Sequence, residues 1–473
     1  MEHSHLKTVY KFYASIQFFL MGSLLAALLY FPLGWGLMDD EGNLRAIHTR
    51  WKGLSLGQVL RKEPIDVIFR PVYTVFNYIG YNTFDHCPHL FYIAVFGFVL
   101  LSLLPWVLLL RRHVRKSVPG ALLLFGFFLL SATPLYNLIV YLSLQEKFVI
   151  CFGGWSMWAL DSALRVERSN IRSLFWHALA LLSFLLGTWG KPTTLAFAPW
   201  ACLAIFMSTS LSFPERVILL ASWCAVAGGM AFVFLHNPAP YTSSYATHLD
   251  ALVHALKTQP LMLYVLVLLG LTTAGVIIFQ MQPKTRFFQT SLPSPLVWPV
   301  TLLTYLALLI PWGIAKYLYA PAMVLASGCL VVLIDQCRER TWMEQGLFCV
   351  LPISTLMAVL IVFKVAIPRI ARQAEIPQVV HWLSQRIPNP QVDIFVMEPC
   401  YEARAALQDF TDEKQTLLYM KKSDTPTFHR PTAWLITRDE CPADNARLAE
   451  FKEIIFQLPH WTIYEKSTSR RNT

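Results

Sequence analysis

Ionisable side chains that could do chemistry in this sequence cluster at a few places, each beside a long apolar run. The segment Gly36-Leu37-Met38-Asp39-Asp40-Glu41 sets three carboxylates side by side. Their mutual repulsion favours proton uptake by at least one of them, so they can serve as a general base or hold a divalent cation. The same residues also suit a helix start, with Asp39 or Asp40 as the cap and Glu41 near the positive end of the helix dipole. Further along, Arg70 precedes Pro71 in FRPVYTVF, with Tyr73 and Tyr78 nearby. A guanidinium held there could bind a phosphate through two hydrogen bonds, or could anchor the chain among lipid headgroups. Gln145, Glu146 and Lys147 stand between two apolar runs, where ionisable groups are costly and by default suggest function. A local ion pair in a short loop is the alternative. Lys191 in GKPT and Lys316 followed by Tyr317 in AKYLYAPA complete the set. Either lysine could neutralise a phosphate at a membrane surface, and either could simply snorkel.

What positions these groups is a membrane. The 473 residues are 55% hydrophobic and 14% charged, with a mean hydropathy of +0.47, too apolar for an ordinary soluble enzyme. The net charge of +10 arises from 39 basic against 29 acidic residues. From Pro368 onward basic and acidic residues balance at 14 each, so the whole surplus lies in the first 367 residues. Membrane loops carry such a surplus without any nucleic acid. Composition therefore excludes a nucleic-acid binder, a disulfide-rich secreted module and a disordered chain as leading readings.

A helix crossing about 30 Å of hydrocarbon needs roughly 20 apolar residues, and about eleven such windows occur. They lie near residues 12–33, 90–110, 118–135, 148–164, 174–190, 193–211, 216–235, 261–281, 296–312, 318–334 and 347–367. Alternating the loops places 12 basic residues on one side, including RRHVRK at 111–116, against Lys147, Lys191, Lys257 and Lys316 in short loops on the other. Positive loops stay in the cytoplasm, so the N-terminus is expected inside and the C-terminal tail outside. The loop over 34–88 carries six basic residues on the outer side, against the bias. Within it the spacing predicts an amphipathic interfacial helix over 43–62 and a short helix over 72–81.

The tail from 368 to 473 alternates helix-like and strand-like segments. Helices are expected at 378–386, 401–409 and 445–453, and strands at 392–397, 432–437 and 461–466. The predicted architecture is mainly α: a polytopic transmembrane helical bundle over 1–367, with a small extracytoplasmic α/β domain over 368–473. Nine cysteines are present, most of them in spans. Cys400 and Cys441 each follow a predicted strand and could pair in an oxidising compartment. No spacing resembles a zinc site.

The order of these features resembles the GT-C superfamily of polytopic glycosyltransferases, which take sugar from a polyprenyl-phosphate carrier. It runs through one span, MDDEG opening a long outer loop, Arg-Pro before an aromatic-rich helix, QEK after the third span, GKPT, and a late KYLYAPA. The last is similar to a motif of the bacterial aminoarabinose transferases and protein mannosyltransferases, with Lys316 standing where arginine is expected. Glu146 likewise stands where relatives often have aspartate. The resemblance implies that Asp39 or Asp40 orients the acceptor, with Glu146 as a second acid. Arg70, Lys191 and Lys316 would hold the donor phosphate, and Glu41, Tyr73 and Tyr317 would line the substrate site. It implies a polyprenyl-phosphate-linked sugar donor, an acceptor that is a glycan, lipid or protein, and membrane lipid as partners. No cofactor is implied with certainty, and whether a divalent cation assists at Asp39, Asp40 and Glu41 is open. The expected location is the bacterial inner membrane. Two other classes fit the composition: a lipid or solute transporter, and a non-catalytic assembly partner of the same fold. Against transport, charged groups sit at span ends and spans such as 90–110 are charge-free.

Overall fold

Inside a bilayer every backbone polar group needs an internal partner, so apolar runs of this length fold as helices. A computed structural model of the chain describes residues 2–31, 51, 53–66, 70–84, 87–114, 126, 145–165, 171–208, 211–236, 297–309, 319–337, 352–353, 355–386, 392–397, 417–420, 432–438, 451–459 and 461–466. The helices are α1 (Glu2–Tyr30), α2 (Leu56–Asp66), α3 (Pro71–Phe84), α4 (Pro88–His113), α5 (Glu146–Arg165), α6 (Ile171–Gly190), α7 (Ala198–Met207) and α8 (Phe213–His236). They continue with α9 (Val297–Leu309), α10 (Tyr319–Cys337), α11 (Ile367–Gln373) and α12 (Glu375–Arg386). Among the described residues, four segments are long and apolar enough to cross a membrane: Lys11–Tyr30, His89–His113, Ile171–Gly190 and Phe213–Val233. Large apolar side chains on their outer faces, such as Phe18, Ile171, Leu174 and Phe213, are exposed, as lipid-facing residues must be. The chain is a multi-pass membrane protein.

Local sequence sets the ends of these helices. Proline at N1 opens α3 and α4, because its missing N–H has no partner in the first turn anyway. In α8 the cap is a Ser-x-x-Glu box: the Ser212 backbone N–H and hydroxyl both donate to Glu215 Oε2, at 2.7 and 2.6 Å. Arg111, Arg112 and His113 in the last turn of α4 suit the negative end of its dipole.

The helical core forms where α4, α5, α6 and α9 meet. Trp106 of α4 is buried and donates from its indole nitrogen to the Ile150 carbonyl at 2.9 Å, tying α4 to α5. Its ring lies 5.9 Å from Phe197 and 5.6 Å from Trp298. The helices approach this closely because α5 presents Gly153 and Gly154. A Cβ on Gly154 would come within 2.6 Å of Trp106 Nε1 and 2.8 Å of Pro105 Cγ.

Two helix expectations are corrected where the described residues reach them; 43–50, 52 and 445–450 lie outside those residues. The helix expected over 43–62 does not run through its middle, since Gly53 adopts φ 77, a left-handed conformation that interrupts a helix. Instead α2 starts afresh at Leu56, capped by Ser55, whose backbone N–H donates to Gln58 Oε1 at 2.7 Å. In the tail, the last three residues of the helix expected over 445–453 are instead the start of a strand at Phe451.

That strand belongs to a five-stranded sheet of order β2-β1-β3-β5-β4, built from β1 (Val392–Met397), β2 (Leu417–Met420), β3 (Thr432–Arg438), β4 (Phe451–Gln457) and β5 (Trp461–Lys466). The first three pair in parallel, and β5 joins antiparallel to β3 and β4. Trp382 of α12 covers one face, 5.5 Å from Trp434 and 4.9 Å from Phe456. The windows at 118–135, apart from Gly126, and at 261–281 lie outside the described residues, as do Cys400, Cys441 and the helix expected over 401–409.

Glycine at 154 should be irreplaceable and glycine at 228, which has open space around it, should not. Gly154→Ala is expected to cost about 1–3 kcal/mol of stability by overpacking, read as a lower melting midpoint of purified protein in detergent. Gly228→Ala should leave the midpoint unchanged or raise it, and equal effects at both positions would contradict the packing described.

Candidate active site at one end of the bundle

Proline 192 decides where the first cation sits. A residue before proline is pushed out of helical conformation, and Lys191 accordingly adopts φ −154 and ψ 126 between α6 and a three-ten turn, Pro192–Phe197. Its backbone N–H still donates to the Gly187 carbonyl at 2.8 Å, so α6 closes normally while the side chain swings inward. Lys191 Nζ then lies 2.8 Å from Glu146 Oε1, with the lysine side chain 15% exposed and the glutamate 1%. Glu146 is the first residue of α5, where the helix dipole adds to the stabilisation of its charge. An anion buried this deeply persists only when a cation compensates it. This pair joins the N-terminal end of α5 to the C-terminal end of α6.

Arg70 enters the same end of the bundle from α3. Its carbonyl accepts from the Thr74 N–H at 3.0 Å in the first turn of α3, and one guanidinium nitrogen donates to Gln145 Oε1, immediately before α5. Tyr73 packs edge-on against Phe148, ring centroids 6.5 Å apart. Lys147 is fully buried with its ammonium 5.1 Å above the Phe76 ring, a cation–π geometry. The local ion pair weighed for Glu146 and Lys147 is thus replaced by two longer-range contacts: Glu146 reaches Lys191, and Lys147 reaches α3. Tyr305 of α9 is fully buried and lies close enough to Glu146 to feel its charge.

Of the nine residues named from sequence, Arg70, Tyr73, Glu146 and Lys191 are brought to one end of the bundle. Asp39, Asp40, Glu41, Lys316 and Tyr317 lie outside the described residues. Gln145 and Tyr305 extend the site beyond that set. Gln145 was legible as part of QEK, whereas Tyr305 sits in a charge-free span and gave no sign of lying near Glu146. Among the described residues, no group of three His, Cys, Asp or Glu side chains forms a metal site.

No protein-family model and no curated protein matches this sequence. Solved structures do. Apo ArnT from Cupriavidus metallidurans aligns with 99% of this chain and 99% of its own length, at TM-score 0.50 and 11% identity. ArnT bound to undecaprenyl phosphate aligns over 97% of this chain and 98% of its own, at TM-score 0.50 and 10% identity. The chain shares the fold of these ArnT structures. At this identity the likeness speaks for the fold, and it extends over nearly the whole length of both chains.

Removing one member of the buried pair should cost more than removing both. Lys191→Met leaves Glu146 without its cation and is expected to cost about 3–5 kcal/mol, while Lys191→Met with Glu146→Leu recovers a large part of that loss. Chemical or thermal unfolding of the two single variants and the double variant measures it. Strict additivity would show that the pair carries no coupling.

Proposed function

We propose that this protein is a membrane glycosyltransferase that moves a sugar from a polyprenyl-phosphate donor to an acceptor on the extracytoplasmic side, with inversion at the anomeric carbon. The observation that carries this reading is the buried Lys191–Glu146 pair, 2.8 Å apart at one end of a bundle with the GT-C fold. The ArnT structure bound to undecaprenyl phosphate supports a lipid phosphate as the ligand class.

The chemistry asks for few groups. The acceptor oxygen attacks the anomeric carbon as the bond from that carbon to the phosphate oxygen breaks, and the acceptor proton passes to a carboxylate, Asp39 or Asp40. The lipid phosphate leaves as an anion, so no general acid is needed, but its growing charge needs fixed cations. Lys191 and Arg70 supply them in this reading, with Lys316 as a third and Tyr73, Glu41 and Tyr317 lining the site. An ammonium has three N–H donors, so its pairing with Glu146 is compatible with contact to a phosphate oxygen. Glu146 keeps Lys191 aimed. The acceptor is a glycan, lipid or protein surface. A divalent cation at Asp39, Asp40 and Glu41 would polarise the phosphate further.

Incubating purified protein with a panel of polyprenyl-phosphate sugars and detecting free lipid phosphate tests the proposal. One donor should be consumed, with Lys191→Met and Asp39→Asn/Asp40→Asn each slowing release by about 10²–10³-fold per folded protein. A chelator arm reports on the cation. Release by no donor, or wild-type rates in both variants, would overturn the reading.

A further inference from the structure

The end of the bundle opposite the Lys191–Glu146 pair holds a second ionic cluster that sugar transfer does not use. Asp161, near the C-terminal end of α5, is only 10% exposed and is shared by two arginines. Arg112 Nη1 lies 2.8 Å from its Oδ2, and Arg165 Nε lies 2.9 Å from the same oxygen. Arg112 also donates to the Ser162 hydroxyl at 2.8 Å and stacks 5.1 Å over the Trp158 ring. His113 approaches Asp161 at 3.7 Å from the buried side, while its other ring nitrogen pairs with the Trp298 indole at 3.0 Å. One carboxylate therefore fixes two guanidiniums whose side chains remain 29% and 36% exposed, with exposed Arg111 beside them. The cluster keeps a surplus of positive charge, and its geometry is set in advance.

An aromatic ladder runs from this cluster to the outer surface of the bundle. Trp158 meets Trp176 edge-on at 5.0 Å, and Trp176 meets Phe175 at 5.3 Å. Phe175 belongs to a stripe on α6 with Ile171, Leu174 and Leu182, all more than half exposed and spaced to share one helix face. A cationic headgroup site thus adjoins an apolar track of acyl-chain character. Tryptophan at that junction suits the membrane interface.

We propose that this corner binds an anionic glycerophospholipid, its phosphate held by Arg112 and Arg165 and its acyl chains lying along the α6 stripe. Charge complementarity commits the site to an acidic lipid: a zwitterionic headgroup brings its own cation against the arginines. The site is separate from the proposed sugar-transfer centre and stands or falls without it.

Native mass spectrometry of the full-length protein in mixed micelles tests this, with phosphatidylglycerol and phosphatidylcholine of identical chains at equal concentration. Wild type should retain one phosphatidylglycerol in preference to phosphatidylcholine by at least about five-fold per contributing arginine. Arg165→Gln leaves the Arg112–Asp161 pair in place and should lose most of that preference, while Arg165→Lys should keep most of it. Equal retention of the two lipids by wild type overturns the proposal whether or not any variant folds. Undiminished preference in Arg165→Gln, or displacement of the lipid by millimolar inorganic phosphate alone, also overturns it.

Discussion

A carboxylate sunk into the end of an apolar helix bundle has to be compensated, and the Glu146–Lys191 pair is where this fold meets that demand. The requirement reaches into the backbone. Pro192 breaks α6 so that Lys191 can turn toward Glu146, and Glu146 opens α5 so that its charge rests on the helix dipole. Arg70 arrives through the same device, at the start of a helix whose first residue is proline, and docks on Gln145 next to the pair. Three separate chain segments are thus pinned to one end of the bundle by polar contacts. The Trp106, Phe197 and Trp298 cluster then sets the spacing of α4, α5 and α9 below them.

The two ends of the bundle handle charge differently. At the site end, Lys147 is buried, Lys191 and Arg70 are mostly so, and each cation meets a specific partner: a ring face, a carboxylate or a side-chain amide. At the other end, arginines share one acid and stay partly in solvent or headgroup. Buried, preorganised cations suit a ligand whose negative charge grows during reaction, since their desolvation is settled before it arrives. Exposed ones suit a ligand that is already charged and resides in the membrane.

Much of this was legible because proline, glycine and charge leave local signatures. GKPT announces a helix break with a lysine at it, FRPVY announces a helix start with an arginine before it, and QEK between apolar runs marks an ionisable group the membrane must compensate. Partner choice was not legible. Glu146 stands next to Lys147 in sequence yet pairs with Lys191, since consecutive residues on a helix do not face each other. Tyr305 was hidden for the complementary reason: an apolar span reads the same whether a given tyrosine faces lipid or is buried inside the bundle. The helix expected over 43–62 overlooked Gly53 and the Ser55-to-Gln58 capping box that restarts the chain. The β4 strand escaped because register shifts at Phe451/Glu453 and Ile454/Phe456 break the two-residue alternation by which a strand is recognised.

The proposed role of Lys191, held by Glu146, is to receive the phosphate of a lipid carrier. A cryo-electron microscopy structure of the protein in nanodiscs with undecaprenyl phosphate tests it most directly. The account predicts phosphate density about 2.7–3.2 Å from Lys191 Nζ, with Glu146 still paired to that lysine. Phosphate seated instead beside Arg112 and Arg165, or anywhere out of reach of Lys191, would contradict it.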